Sequence, residues 1–290
     1  MNTLFLAKPI GGEIKYCLRP DKICEELSRL NFAIFSIYNC IKNNGELMDN
    51  HYEQLIAGIP CIWVKPNCQS RGIVILYHGW VSNIKDYIFF GSLISDWGYT
   101  VIIPEISYHG TRGELNYFDP KVIQKYFWEV VIQTVEEAGD FISELTLHDK
   151  IVGVVGNSTG GFAAAGVYAN NKSIKSAIIM NGSCAWERFE EHICERDIRT
   201  PWTSIDRDRI LKLDPAKLTR NMKNKAMLIL HGTEDTTIPI DSQKYFMKVI
   251  EQNNILNNSV HFVEYSKVNH QITLSMLEES KRWLDERTHI

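Results

Sequence analysis

From about residue 53 onward, apolar segments of two kinds alternate along the chain. Short runs rich in β-branched residues are typical of strands, and longer amphipathic runs are typical of helices. The predicted strands are Ile59–Val64, Ile73–Tyr77, Thr100–Ile103, Ile151–Val155, Ser176–Met180, Met227–Leu230 and Val260–Val263, with a partner for the first near Gln54–Ala57. The predicted helices are Tyr87–Trp97, Pro120–Leu145, Gly160–Ala169, Ser242–Gln252 and Gln271–Glu286. This alternation predicts an α/β fold with a mostly parallel, doubly wound sheet.

Two segments depart from this alternation. Residues 183–225 have no strand pattern and combine charged residues with Trp186, Phe189 and Trp202, so we expect a small helical cap between two strands. Asp21–Asn44 forms one amphipathic helical pattern, because its apolar residues recur at alternating spacings of four and three. We therefore expect residues 1–50 to be an N-terminal helical extension and residues 51–290 to be the main domain. The apolar stripe of the extension favours packing on that domain, and a homodimer interface or a lid remains the alternative.

Composition and charge narrow the class of protein. The chain has 290 residues, 44% hydrophobic and 23% charged, which is typical of a globular protein. Its net charge of −4 gives no electrostatic case for nucleic-acid binding. No apolar run approaches the roughly 20 residues that span a bilayer, and Met1–Ile10 is too short for a signal peptide. The seven cysteines are odd in number and lack a C-x-x-C pair, so we expect free thiols, a cytoplasmic location and no metal site.

The strongest chemical signal is a serine between glycines, where a predicted strand meets a predicted helix. Gly156-Asn157-Ser158-Thr159-Gly160 fits G-x-S-x-G, in which the serine occupies a sharp, strained turn and larger residues at the glycines would collide with neighbouring backbone. The turn would expose the hydroxyl above a helix N-terminus, where amides and the helix dipole favour negative charge. Ser158 is therefore the predicted nucleophile, and an ordinary structural turn is the less favoured interpretation.

A serine hydroxyl needs a base near neutral pH, and the base needs an acid to orient it. Asp235 follows the strand Met227–Leu230, and His270 follows the last strand. Active sites of open parallel sheets assemble at these strand ends. We predict a triad of Ser158, Asp235 and His270. Glu234 is the rival acid, and an Asx turn is the structural alternative for Asp235.

Acyl transfer also builds an oxyanion, which requires preorganised N–H donors. The backbone amide of Thr159, next to the predicted nucleophile, is the first expected donor. The second should come from the loop after His78-Gly79, and we predict the amide of Trp80. His78 is expected to orient this loop and to take no part in catalysis.

Together these motifs resemble the α/β-hydrolase family, in the esterase and peptidase group that includes dienelactone-hydrolase-like and prolyl-oligopeptidase-like domains. The matching stretches are Tyr77–Trp80, Pro104–Gly113, Gly156–Gly161, His231–Asp235 with Ile238-Pro239, and Asn269-His270. The similarity covers about residues 59–287 and implies a Ser-His-Asp mechanism without a cofactor. Asn157 stands where many members carry His, Glu or Tyr, so the resemblance does not fix the substrate.

Three functions are compatible with these residues. The first is hydrolysis of a small or medium carboxylic ester, favoured by the aromatic residues of the predicted cap. The second is hydrolysis of a peptide, amide or thioester by the same triad. The third is a non-catalytic binding protein on a hydrolase fold, with the N-terminal helix as its interface. The first two predict a small-molecule ester or amide as the partner.

Overall fold

The computed structural model describes residues 50–197, 204–253 and 259–288. The predicted helix Asp21–Asn44 and Trp202 lie outside these ranges, so the N-terminal extension and its homodimer interface stay predictions. Within the described ranges, no helix combines the length and the hydropathy that crossing a bilayer requires.

In the described part of the chain, eight strands form one sheet. They are β1 (His51–Ile56), β2 (Ile59–Val64), β3 (Ile73–Tyr77), β4 (Thr100–Pro104), β5 (Ile151–Asn157), β6 (Ser176–Met180), β7 (Ala226–Gly232) and β8 (Val260–Tyr265). Their order across the sheet is β1-β2-β4-β3-β5-β6-β7-β8. The pairs β1–β2 and β2–β4 are antiparallel, and all pairs from β4–β3 to β7–β8 are parallel.

Helices cover both faces of this sheet. They are α1 (Ile88–Asp96), α2 (Pro120–Leu145), α3 (Thr159–Asn170), α4 (Trp186–Asp197), α5 (Ser204–Leu213), α6 (Asp241–Gln252) and α7 (Leu274–Thr288). Buried residues of α2, α3, α4, α5 and α6 form one apolar cluster with the sheet. Buried residues of α1 and α7 belong to a second cluster. The predicted doubly wound α/β fold is therefore confirmed, and the predicted elements agree with these bounds to within a few residues.

The buried strands explain why this sequence forms a covered sheet. Every residue of β3, β4, β6 and β7 is buried, which requires apolar side chains on both faces of each strand. By contrast, β1 lies at the edge and exposes four successive residues. The parallel strands bring the loops after β3, β5, β6, β7 and β8 to one edge, with β6 between β5 and β7.

The segment between β6 and β7, predicted as a cap, is helical where it is described. It contains α4, α5 and two short 3-10 turns, Pro215–Lys217 and Thr219–Met222. The buried carboxylate of Asp214 accepts the amides of Trp186 (3.1 Å) and Glu187 (3.0 Å) at the start of α4. It also accepts the amide of Ala216 at 3.0 Å, so one side chain joins the start of α4 to the first of the two 3-10 turns.

Candidate active site

Ser158 occupies a tight turn between β5 and α3. Its backbone angles, φ 57° and ψ −126°, lie in a region that residues other than glycine rarely adopt. Its amide donates to the carbonyl of Met180 at 3.0 Å. Its own carbonyl accepts from the amides of Gly161 (2.8 Å) and Phe162 (3.2 Å). These bonds hold a conformation that would otherwise relax, and they keep the side chain of Ser158 only half-buried.

Backbone crowding explains the two glycines of this serine turn (residues 156–160). A Cβ atom on Gly156 would lie 1.9 Å from the carbonyl oxygen of Gly160. A Cβ atom on Gly160 would lie 2.2 Å from the carbonyl oxygen of Tyr77 in β3. Both oxygens belong to the backbone, which cannot move aside as a flexible side chain could. Only glycine therefore fits at these two positions, and the G-x-S-x-G spacing is a packing requirement.

The structure brings the three predicted triad residues into one hydrogen-bonded line. Nε2 of His270 lies 2.9 Å from Oγ of Ser158. Nδ1 of His270 lies 2.7 Å from Oδ2 of Asp235. Because a carboxylate can only accept, Nδ1 carries the proton, and Nε2 of the neutral ring can accept from the serine hydroxyl. This is the arrangement that activates a serine nucleophile.

The aspartate loop (residues 232–239) holds the acid by its second oxygen. Oδ1 of Asp235 accepts the amides of Thr237 (2.9 Å) and Ile238 (2.8 Å), which is an Asx turn. The same carboxylate therefore makes the turn and leaves Oδ2 for His270. Asp235 is buried, whereas Glu234, the rival acid, is exposed.

The histidine loop (residues 266–273) is bonded to the aspartate loop. Oδ1 of Asn269 accepts the amides of Thr236 (3.0 Å) and His270 (2.7 Å). A Cβ atom on Gly232 would lie 2.2 Å from the carbonyl oxygen of Val268, so the two loops touch through backbone. The sequence motif included Asn269 without giving it a role, because its partner is 33 residues away in the chain.

The tryptophan loop (residues 78–82) lies against the serine. A Cβ atom on Gly79 would be 3.6 Å from Cβ of Ser158. Trp80 follows in a turn, and its carbonyl oxygen is 2.5 Å from Nε2 of His109. Thr159 is the first residue of α3, and the first four amides of a helix lack an acceptor within the helix. The segments that carry both predicted oxyanion donors thus flank Ser158.

His78 fixes the base of the tryptophan loop. The amide of Ile106 donates to its Nε2 at 3.3 Å, so Nδ1 carries the hydrogen and donates to the carbonyl of Gly79 at 3.0 Å. His78 is fully buried, and burial lowers its pKa to about 3. A neutral ring with both nitrogens engaged by backbone agrees with the expected orienting role.

An aromatic wall extends from the tryptophan loop to α4. We use this name for Trp80, Phe127, Phe162 and Phe189. Successive ring centroids are 6.1 Å apart for Trp80–Phe127, 5.1 Å for Phe127–Phe162 and 4.8 Å for Phe162–Phe189. Phe162 lies one helical turn after Ser158, and the indole N–H of Trp80 donates to the carbonyl of Tyr117 at 2.9 Å. Trp80 and Phe127 are partly exposed and leave part of their apolar surface uncovered.

The fold and the sequence comparisons define an α/β-hydrolase of the serine hydrolase type. Residues 89–288 match the prolyl oligopeptidase family, and the chain belongs to that family. The chain is similar to the putative esterase YitV of Bacillus subtilis (strain 168). The two are 23% identical over 252 residues, which cover 80% of this chain and 96% of the relative.

Solved structures with the same fold include two that match over nearly their whole length. TT1662 from Thermus thermophilus has a TM-score of 0.71 at 15% identity, covering 83% of this chain and 98% of that one. A putative dienelactone hydrolase from Klebsiella pneumoniae subsp. pneumoniae MGH 78578 has a TM-score of 0.62 at 16% identity, covering 82% and 98%. At these identities the likeness shows the fold alone.

Proposed function

We propose that the chain is a carboxylic-ester hydrolase in which Ser158 is the nucleophile, His270 the general base and Asp235 the acid that orients it. The observation that carries this proposal is the continuous line of hydrogen bonds from Oδ2 of Asp235 to Nδ1 of His270 (2.7 Å) and from Nε2 to Oγ of Ser158 (2.9 Å). The strained backbone of Ser158 supports it, because such strain is concentrated at functional sites.

The proposed reaction has two steps. His270 accepts the hydroxyl proton as Oγ of Ser158 attacks the ester carbonyl carbon, and the amides of Thr159 and Trp80 stabilise the oxyanion. The oxyanion then collapses, the bond to the alcohol oxygen breaks, and His270 gives its proton to that oxygen. Water attacks the acyl-enzyme in the same way, releasing the carboxylic acid and restoring Ser158. Asp235 stabilises the imidazolium that forms in each step.

The aromatic wall supports an apolar acyl or alcohol group in the substrate. Binding pockets are lined mainly by apolar and aromatic side chains, with few polar groups near the reacting atoms. The partly exposed rings of Trp80 and Phe127 meet this description. The name of the Bacillus relative, a putative esterase, is consistent with an ester.

The second candidate is hydrolysis of a peptide, amide or thioester by the same residues. The prolyl oligopeptidase family favours this alternative. A binding protein without catalysis is the third candidate.

We also propose a cytoplasmic location, supported by the free thiols of the four described cysteines, Cys61, Cys68, Cys184 and Cys194.

The test compares p-nitrophenyl esters with aminoacyl p-nitroanilides, using the parent and Ser158→Ala. We expect faster ester turnover by the parent and a loss in kcat of about 10³- to 10⁶-fold in the variant. Ser143→Ala, at an exposed serine of α2, is the matched control and should retain parental rates. Activity of Ser158→Ala within about tenfold of the parent, or no labelling of Ser158 by a fluorophosphonate, would contradict the proposal. Faster anilide turnover would favour the peptidase.

A further inference from the structure

Asn181, directly after β6, is hydrogen-bonded to three loops at once. Its Nδ2 donates to Oδ1 of Asn157 at 3.3 Å and to the carbonyl of Gln271 at 3.0 Å. Its Oδ1 accepts the amide of Gly232 at 3.4 Å. The three partners belong to the serine turn, the histidine loop and the aspartate loop. One side chain thus joins the three segments that carry the proposed triad.

The backbone around Asn181 explains why this side chain reaches all three loops. β6 lies between β5 and β7, so its end is in the middle of the edge where the loops converge. The amide of Asn181 donates to the carbonyl of Leu230 in β7 at 2.9 Å. Its φ of 44° is in the left-handed region, which asparagine tolerates better than most residues. A carboxamide offers two donors and one acceptor on a short side chain.

A further hydrogen bond leads from Asn157 to Tyr87, which lies beside the tryptophan loop. Nδ2 of Asn157 lies 3.5 Å from the hydroxyl oxygen of Tyr87. That hydroxyl lies against the tryptophan loop, because a Cβ atom on Gly79 would be 3.5 Å from it. Asn181 is 1% exposed and Tyr87 is 6% exposed, so water has little access to replace these bonds. The network therefore joins three loops of the site by hydrogen bonds and reaches the tryptophan loop through the contact of Tyr87 with Gly79.

We propose that Asn181 is a positioning residue that fixes the serine, the histidine and the aspartate relative to one another. This inference rests on the proposed function. Each loop keeps its own internal bonds without Asn181, but the contacts that set distances between loops weaken. Catalysis is sensitive to such distances, since a misplacement of about 1 Å can cost roughly 10²-fold in rate. We therefore expect substitution of Asn181 to lower kcat and to change substrate binding little.

The first test is Asn181→Gly, because glycine accepts the positive φ and removes all three side-chain bonds. We expect kcat for a p-nitrophenyl ester to fall about 10²-fold, with KM within about threefold of the parent. The matched control is Asn170→Gly at the far end of α3, where Nδ2 also donates to two carbonyls, those of Gly166 (2.9 Å) and Leu213 (3.1 Å). The control should retain parental kcat.

The second variant, Asn181→Asp, keeps the shape and the acceptor for Gly232 but loses both donors. Its carboxylate would face the two oxygen acceptors of Asn157 and Gln271. We expect kcat to fall, and the ratio of variant to parental kcat to rise as pH is lowered, because a protonated carboxyl can donate again. A purely structural role of Asn181 would not produce this recovery unless the fraction of folded protein also rose as pH was lowered.

The inference is overturned if Asn181→Gly has kcat within about threefold of the parent, or if Asn170→Gly loses as much. If Asn181→Gly fails to fold, Asn181→Asp decides: a pH-independent kcat ratio overturns the inference, and a ratio that recovers at low pH supports it. Parallel assays of Ser158→Ala separate the two proposals. Turnover that survives Ser158→Ala overturns the proposed function and this inference with it. An inactive Ser158→Ala beside an unimpaired Asn181→Gly overturns the inference alone.

Discussion

The serine turn and the histidine loop meet at one hydrogen bond but are held by different means. The turn is fixed by backbone crowding, because a Cβ on Gly156 or Gly160 would lie within 2.2 Å of a carbonyl oxygen. The histidine loop also touches backbone at Gly232, but it is held in addition by side chains, since Asn269 and Asn181 bond to its backbone from within and from the end of β6. The serine turn thus requires two positions without side chains, whereas the histidine loop requires particular polar side chains.

This difference shows which sequence positions determine each part of the site. Crowding leaves a local pattern of glycines around Ser158, at fixed spacing in the chain. Side-chain support leaves single residues far apart in sequence, such as Asn181, which is 90 residues from its partner in the histidine loop. The two regions should therefore respond differently to substitution. Two predictions test this contrast, and another examines a buried side-chain anchor outside the site.

The largest effect is expected from adding a methyl group to the serine turn. Gly156→Ala and Gly160→Ala should each lower the free energy of unfolding by about 3 kcal/mol or more, because the new Cβ meets immovable backbone. Labelling of Ser158 by a fluorophosphonate should be lost as the turn distorts. Urea denaturation and labelling of the soluble protein measure the two effects.

The matched control for this prediction is Gly139→Ala in α2, where a Cβ would meet nothing within 4 Å. Alanine favours helix over glycine by roughly 1 kcal/mol, so this variant should be slightly more stable than the parent. A stable, fully labelled Gly156→Ala variant would show that crowding does not hold the serine turn.

The second prediction concerns Asp214, which accepts three backbone amides as an anchor outside the site. Burial raises its pKa from 3.8 to about 6, although the amides of Glu187, Trp186 and Ala216 act in the opposite direction. Because the folded pKa lies above the unfolded one, wild-type stability is lost as pH rises between these values. The loss reaches on the order of 3 kcal/mol by pH 7.

Asp214→Asn removes this titration and isolates the cost of a charged anchor. The difference in unfolding free energy, parent minus variant, should decrease by roughly 2.4 kcal/mol between pH 4 and pH 7. Urea denaturation of both proteins across that range provides the measurement. A difference that is flat with pH, or that increases, would mean that the carboxylate is stabilised in place by its amide donors.

The smallest effect is expected from Asn269→Ala, on the side-chain-supported side of the comparison. The variant loses the bonds of Oδ1 to Thr236 and to the amide of His270. Asn269 is exposed, so unfolding free energy should change by less than about 1 kcal/mol. We expect kcat to fall about tenfold because the base is less well oriented. A kcat equal to the parent's would show that the histidine loop keeps its position without Asn269.

The fold could be predicted almost completely from the sequence, because its strands are continuous apolar runs. Ile59–Val64, Ile73–Tyr77 and Ser176–Met180 were predicted with the bounds that the structure has, since turn residues or charges flank each run. Errors of a few residues occur where strands continue into polar loops, as at the end of β7 and β8. Burial on both faces, which periodicity detects well, decides these elements.

The site could be predicted only in part. Ser158, Asp235 and His270 follow strands at expected places and lie within hydrogen-bonding distance of one another. Asn181 was missed, because an asparagine before a glycine at a strand end predicts a turn as readily as a bonding partner. Its proposed role depends on which loops converge around it, and that is a property of the sheet order. Asn269 lacked a role for the same reason.

The backbone angles of Ser158 have a consequence for how the chain would change without selection for chemistry. Glycine, which has no Cβ atom, would relieve a conformation that costs on the order of 1–3 kcal/mol, so the molecule would be more stable without this side chain. Without selection for the hydroxyl, mutation to a more stable residue would thus be expected to replace this serine. A serine at this position therefore lowers stability, which is expected only if the proposed function of its hydroxyl is under selection.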